Sequence, residues 1–185
     1  MRNLIIFGPP GAGKGTQAKL IAQKYKLTHL SSGEILRQAR GRGSLGKKIK
    51  GYQDKGQLVP DALIISLMEN RVARSAKRGV IFDGYPRTLR QAKALDKFLN
   101  DKKNPLKTVL NLRLSETEAI RRIMHRSKTS RRSDDNPKTI HNRFRVYRAQ
   151  TAPLLEYYAG QKKVITIDDR PPIAAVFKAI VKKLK

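Results

Sequence analysis

Between an apolar run, Asn3-Leu4-Ile5-Ile6-Phe7, and a stretch with helical spacing lies Gly8-Pro9-Pro10-Gly11-Ala12-Gly13-Lys14-Gly15-Thr16. A strand, a glycine-rich loop and a helix in that order expose consecutive backbone N–H groups in a concavity. The helix aims the positive end of its dipole at the same spot. Glycine lets phosphate oxygens approach the main chain and permits φ > 0. Lys14 adds a mobile point charge suited to β- and γ-phosphates. An ordinary glycine-rich turn needs neither the lysine nor these flanks, so the pattern implies a nucleoside triphosphate site. The general motif places Ser or Thr directly after the lysine to hold Mg²⁺, whereas here Gly15 stands there and Thr16 follows. That displacement weakens a generic ATPase or GTPase reading and points toward small kinases.

A second group begins with Gly79-Val80-Ile81-Phe82-Asp83, an apolar strand ending in a carboxylate. A lone strand-end aspartate commonly caps a turn. Beside a phosphate loop, Asp83 is the natural partner for Mg²⁺, through water. Within Gly84-Tyr85-Pro86-Arg87-Thr88-Leu89-Arg90-Gln91, Arg87 is presented beyond a proline and suits a bidentate grip on a second phosphate. Gln91 carries two readings, a ligand contact or the far end of a Thr88-x-x-Gln91 capping box. Arg122 and Arg126 fall one helical turn apart on one face, which by spacing alone describes a solvated surface. Arg143 borders the apolar stripe of Ile140, Phe144 and Tyr147, which draws it toward a cleft.

The elements that must position these groups alternate strand and helix, the signature of a parallel α/β sheet. Strands are predicted at 3–7, 27–30, 79–83, 108–112 and 164–167. Ala18, Ile21, Ala22 and Tyr25 give the first helix its buried face. Ser31 to Glu34 and Ser115 to Glu118 have the spacing of helix starts. Residues 41–59 are polar, basic and glycine-punctuated, and read as a helical insertion outside the core. Pro60-Asp61 restarts a helix that buries Ile64, Ile65, Met68 and Val72. One long helix is predicted from about 135 to 159, burying Ile140, Phe144, Tyr147, Leu154 and Tyr158. Asp169, Pro171 and Pro172 open the last helix. Five strands fit one doubly wound sheet with ligand at the strands' C-terminal ends.

Gly8–Thr16, Ser31–Arg37, Gln57-Leu58-Val59, Asp83–Gln91 and Arg132-Ser133-Asp134-Asp135 together resemble the adenylate kinase family, in order along essentially the whole chain. The resemblance implies a P-loop NTPase-like fold, and the family includes members with Gly after the lysine. It implies ATP on Gly11, Ala12, Gly13, Lys14, Gly15 and Thr16, with Arg122, Arg126 and Pro171 on the ATP side. AMP would lie against Ser32, Gly33, Arg37, Leu58, Val59, Gly84, Arg87 and Gln91, and Arg132 and Arg143 would contact phosphates in the closed state. Residues 31–60 would form a mobile AMP-binding segment and 127–133 a short lid, around a core of 1–30, 61–126 and 134–185. The lid lacks the cysteines that would hold zinc, so Mg²⁺ is the one metal expected. Ser32 and Thr88 favour AMP over CMP or UMP as acceptor, a pyrimidine monophosphate kinase being the nearest alternative.

At 185 residues the chain suffices for one domain with a real core. It has no cysteine and three scattered histidines, which excludes disulfides and argues against a metal cluster. No apolar run approaches the roughly 20 residues that span a bilayer, and a soluble, cytoplasmic monomer is expected. Forty-one Lys and Arg against fourteen Asp and Glu give +27. Such a field attracts nucleotides and invites nonspecific RNA contact. An RNA-associated protein with a vestigial nucleotide site is thus the rival of another class, but no aromatics interleave with the basic runs as a single-strand binder needs.

Overall fold

The computed structural model describes residues 3–40, 43–75, 79–128 and 135–184. The first half runs β1 (Asn3–Phe7), α1 (Lys14–Tyr25), β2 (Thr28–Ser31), α2 (Ser32–Ala39), α3 (Gly43–Asp54), α4 (Asp61–Ser75) and β3 (Val80–Asp83). Next come α5 (Leu89–Asp101), β4 (Leu106–Arg113), α6 (Glu116–Ser127) and α7 (Pro137–Val146). A π turn (Tyr147–Thr151), α8 (Leu154–Ala159), β5 (Val164–Asp168) and α9 (Ile173–Lys183) complete the chain. The five strands are parallel, in the order β2-β3-β1-β4-β5.

Period-two alternation sends the side chains of β1 to two cores. Ile5 and Phe7 join Val80, Phe82 and Val109 beneath α4, α5 and α8, while Leu4 and Ile6 join Ile81, Leu110 and Leu112 beneath α1 and α9. All five β1 residues are buried, as expected of a central strand covered on both faces. Register then sets the site. Ile6 and Ser31 both stand opposite Asp83, so the strand ends that lead to the phosphate loop, the β3 carboxylate and Ser32 lie in one row.

Asn3 is a polar residue with no exposed surface, and both ends of its amide are satisfied. Its Oδ1 accepts from the Val80 N–H at 3.0 Å, and its Nδ2 donates to the Asn104 carbonyl at 2.5 Å. It ties β1 to both neighbours at the end away from the site. Asn3→Ala would leave a buried donor and a buried acceptor unpaired, and about 2–4 kcal/mol of stability should be lost in urea titration. A loss below about 0.5 kcal/mol would show that water reaches both groups.

Two expectations are corrected. Residues 41–59 do contribute to the core, since Ile49 and Val59 are buried within the larger cluster. Few apolar residues in a basic stretch suffice when each is placed on an inner face. The helix over 135–159 is not continuous either. Pro153 has no N–H for the carbonyl one turn back, and its ring crowds that carbonyl. The preceding turn widens accordingly, with Ala152 N–H donating to the Tyr147 carbonyl at 2.9 Å. Tyr147, expected in the core, is only half-buried and faces the cleft described below.

The α3 end is fastened to α7. Thr139 Oγ1 donates to the Asp54 carbonyl at 2.9 Å and Asn142 Nδ2 to the Lys55 carbonyl at 2.5 Å. Gly56, at φ +66°, comes so close that a Cβ there would stand 2.8 Å from the Thr139 carbonyl oxygen. Among the described residues no helix is long and apolar enough to cross a membrane.

Candidate active site

A cleft of about 500 Å³ opens at the C-terminal ends of β1, β2 and β3. One wall is the loop Gly8–Gly13 and the first turn of α1. Gly11 has φ +90°, and a Cβ there would stand 2.4 Å from the Ala119 carbonyl oxygen, so this glycine lets the loop lie flat on α6. Gly13, at φ +44°, is the N-cap of α1 and makes no side-chain cap, which leaves the helix's first N–H groups for a ligand.

Lys14 is half-buried, and its Nζ donates to the carbonyls of Gly8 and Pro9, each at 2.8 Å. Burial lowers its pKa to about 7. The Asp83 charge opposes that shift, and the guanidinium groups of Arg87, Arg143 and Arg126 reinforce it. Four cations therefore share one field, which is the arrangement a polyphosphate requires. Bound triphosphate would return Lys14 to the fully charged form. ATP binding should consequently take up about half a proton near pH 7, more near pH 8 and little near pH 6. Calorimetry in buffers of different ionisation enthalpy measures this directly, and uptake independent of pH would refute the shift.

Asp83 ends β3 beside the loop. A Cβ on Gly15 would stand 3.3 Å from its Oδ2, so a larger residue after the lysine would press on this carboxylate. Burial acts to raise its pKa, but the His29 hydrogen bond (Nε2 to Oδ2, 3.4 Å), the Lys14 charge and Ser31 prevail. The carboxyl lies below its ordinary value and is an anion at neutral pH.

The opposite wall is made by Gly33, Arg37, Leu58, Gly84 and Arg87, with Arg126 and Arg143 entering from α6 and α7. The turn after Asp83 is self-braced. Arg87 Nε donates to the Gly84 carbonyl at 2.7 Å, and the buried Ser32 Oγ donates to the same carbonyl at 2.5 Å. Gly84 has φ +70°, and a Cβ there would meet Arg87 Nη2 at 2.9 Å. Arg126 grips Asp135 with two bonds of 3.0 and 2.8 Å, and Arg143 Nη1 reaches the same carboxylate at 3.1 Å.

Not every expected residue lines the cleft. Ser32, Val59 and Gln91 are buried behind it. Gln91 combines cap and brace: its N–H donates to Thr88 Oγ1 at 3.2 Å, while its Oε1 accepts from the Arg87 N–H at 2.8 Å. Arg122 is held beside the loop by Glu118 (2.9 Å), the Asp169 carboxylate (2.8 Å) and the Asp169 carbonyl (2.8 Å). Pro171 is exposed next to it. Arg132 and residues 129–133 of the expected lid lie outside the described residues.

Sequence reasoning assigned no role to three carboxylates that organise these cations. Asp135 has a side chain with no exposed surface beneath Arg126 and Arg143. Asp169 sits over Gly13, its oxygens 3.7 and 3.8 Å from where a Cβ would be, and burial pushes its pKa up against the pull of Arg122. Asp61 holds Thr88 and Gln91. A signal existed for Asp135, which is one of two acids among ten basic residues over 121–148. Among the described residues, no group of three or more His, Cys, Asp or Glu is placed to hold a metal.

A phosphate loop facing a second, arginine-lined wall across one cleft, on a sheet with β1 between β3 and β4, defines a P-loop enzyme that handles two phosphorylated ligands. The family model described as Adenylate kinase matches residues 6–163. The chain is 48% identical over 179 residues to "Adenylate kinase" of Parabacteroides distasonis, covering 96% of this chain and 94% of that protein. It is 46% identical to "Adenylate kinase" of Caulobacter vibrioides (96% and 94% covered) and 43% identical to that of a Cyanothece species (100% and 97% covered). The chain belongs to the adenylate kinase family.

Proposed function

We propose that the protein transfers the γ-phosphoryl group of ATP reversibly to AMP, giving two ADP. The observation that carries this reading is the convergence of Lys14, Arg87, Arg126 and Arg143 on one cleft between the phosphate loop and the Gly84–Arg87 turn. ATP takes the loop, with Gly11, Ala12, Gly13, Gly15 and Thr16 around its phosphates and Arg122 and Pro171 alongside. AMP takes the opposite wall of Gly33, Arg37, Leu58, Gly84 and Arg87, backed by Ser32, Val59 and Gln91.

The attacking atom is a phosphate oxygen that is already an anion at neutral pH, so no general base is needed. Catalysis then rests on in-line positioning and on cations placed where negative charge spreads in the transition state. Lys14 leaves its two carbonyl partners for the β- and γ-phosphates. Arg87 holds the acceptor phosphate, braced by Gly84. Arg126 and Arg143 lean over the transferring group from Asp135, and Arg132 joins them from the short lid. An ionised Asp83 beside the Thr16 hydroxyl offers the hard oxygen donors that Mg²⁺ prefers, Asp83 acting through water. When bound, Mg²⁺ neutralises phosphate charge. Residues 31–60 and 127–133 close over both nucleotides and exclude water, which would otherwise take the phosphoryl group. The same reading makes the enzyme a monomer of the cytoplasm, with nonspecific RNA contact arising from its charge.

The test is incubation with Mg²⁺-ATP and each of AMP, CMP, UMP and GMP, with diphosphates quantified by chromatography. Stoichiometric ADP with AMP alone is expected. Preferred formation of CDP or UDP would overturn the acceptor, and no transfer at all would overturn the enzyme.

A further inference from the structure

Asp61 is the first residue of α4, a position where a carboxylate already favours the helix dipole. Its contacts reach further. Oδ2 accepts from Thr88 Oγ1 at 2.8 Å and Oδ1 accepts from Gln91 Nε2 at 2.7 Å. One carboxylate therefore joins the start of α4, where the segment 31–60 ends, to the N-cap and first turn of α5, from which Gln91 projects.

The pairing has a chemical consequence for the Gln91 amide. A carboxylate only accepts, and the Arg87 N–H only donates. With Asp61 on one side and that N–H (2.8 Å) on the other, Nε2 must face Asp61 and Oε1 must face Arg87. Each end keeps one further hydrogen or lone pair. An adenine edge presents an amino donor beside a ring-nitrogen acceptor, and a hypoxanthine edge presents the reverse order. A glutamine amide free to turn over could pair with either. A glutamine locked in one sense complements only one of them.

We propose that Asp61 is a specificity-determining residue that acts through Gln91, fixing the order of donor and acceptor that the acceptor nucleotide's base meets. The proposal rests on the reading that Gln91 faces the AMP base. IMP is the probe, because it differs from AMP only along that edge. The D61N variant keeps the shape but introduces an amide that can give or accept a hydrogen bond, so it no longer dictates the sense of Gln91.

The experiment measures kcat/KM for AMP and for IMP with Mg²⁺-ATP, in the unaltered enzyme, D61N, Q91A and the double variant, alongside thermal midpoints and KM for ATP. D61N should lower the AMP-to-IMP ratio about tenfold, the effect of one charge-assisted hydrogen bond. The change should fall in KM for the monophosphates, with KM for ATP unchanged. The double variant should match Q91A alone, because both substitutions act on one contact. A D61N ratio equal to the unaltered enzyme's, with Q91A lowering it, would overturn the role of Asp61 and leave the Gln91 reading intact. A Q91A enzyme with unchanged KM for AMP and unchanged ratio would overturn both. A D61N effect confined to the thermal midpoint would reduce Asp61 to a helix-start residue and equally overturn the proposal.

Discussion

Arg143→Ala lowers turnover about a thousandfold and leaves ATP affinity within about threefold. The expectation follows from where the guanidinium stands. Its charge is felt at Lys14, it lines the cleft, and it is held by the Asp135 carboxylate from behind. Holding an arginine in place before the substrate arrives removes the reorganisation that would otherwise oppose its use. One arginine aimed at a phosphoryl transition state is worth roughly 10³–10⁵ in rate. Ground-state ATP, by contrast, is held mainly by loop N–H groups and Lys14, which the substitution leaves alone. Arg143→Lys should recover little, since a lysine keeps the charge but lacks the planar fork that reaches Asp135 and phosphate together. Steady-state kinetics with direct ATP-binding measurements decide the matter. A large loss of ATP affinity with turnover intact would place Arg143 in binding rather than catalysis.

Asp135→Ala is expected to have the largest effect on stability. The carboxylate is fully covered, and two arginines only 33% and 22% exposed converge on it. Removing it leaves two like charges side by side without their counter-ion. Breaking one partner of a buried ion pair commonly destabilises by 3–5 kcal/mol. Partial exposure of the arginines sets the expectation at the lower end, about 3 kcal/mol, or about 6–12 °C in thermal midpoint for a chain of this size. A bisubstrate dinucleotide supplies negative charge to the same arginines, so it should raise the midpoint of the variant more than that of the unaltered protein. A loss below about 1 kcal/mol, or equal stabilisation of both forms, would mean that solvent already screens the arginines.

What could be read before folding was local. The phosphate loop, the caps at Ser31, Thr88 and Ser115, and the strand ending in Asp83 all declare themselves within a few residues, because backbone geometry and neighbouring side chains decide them. The core insertion of Ile49 and Val59 did not, since burial depends on what the rest of the chain brings over them. Pro153 was legible in principle, yet the regular spacing around it suggested a continuous helix. Least legible were the carboxylates. Asp61 meets Gln91 across 30 positions and Asp169 meets Arg122 across 47, and no periodicity announces such pairs. Gln91 shows how the two levels mix. Its capping-box spacing was visible, but its side chain accepts from Arg87, one residue before the cap, and donates to a helix start far away.

The fastening of α3 to α7 bears on how a protein of charge +27 works in salt. Thr139 and Asn142 both donate to main-chain carbonyls, at Asp54 and Lys55, and neither bond involves a net charge. Ionic strength screens charge pairs at the surface and leaves neutral hydrogen bonds almost untouched. A clasp of this kind holds equally well in dilute buffer and in concentrated electrolyte. Because it ends on backbone oxygens, it also tolerates exchange of the side chains at positions 54 and 55. The approach of nucleotides to this enzyme is thus governed by counterions, whereas the grip that joins the acceptor-side segment to α7 is indifferent to them.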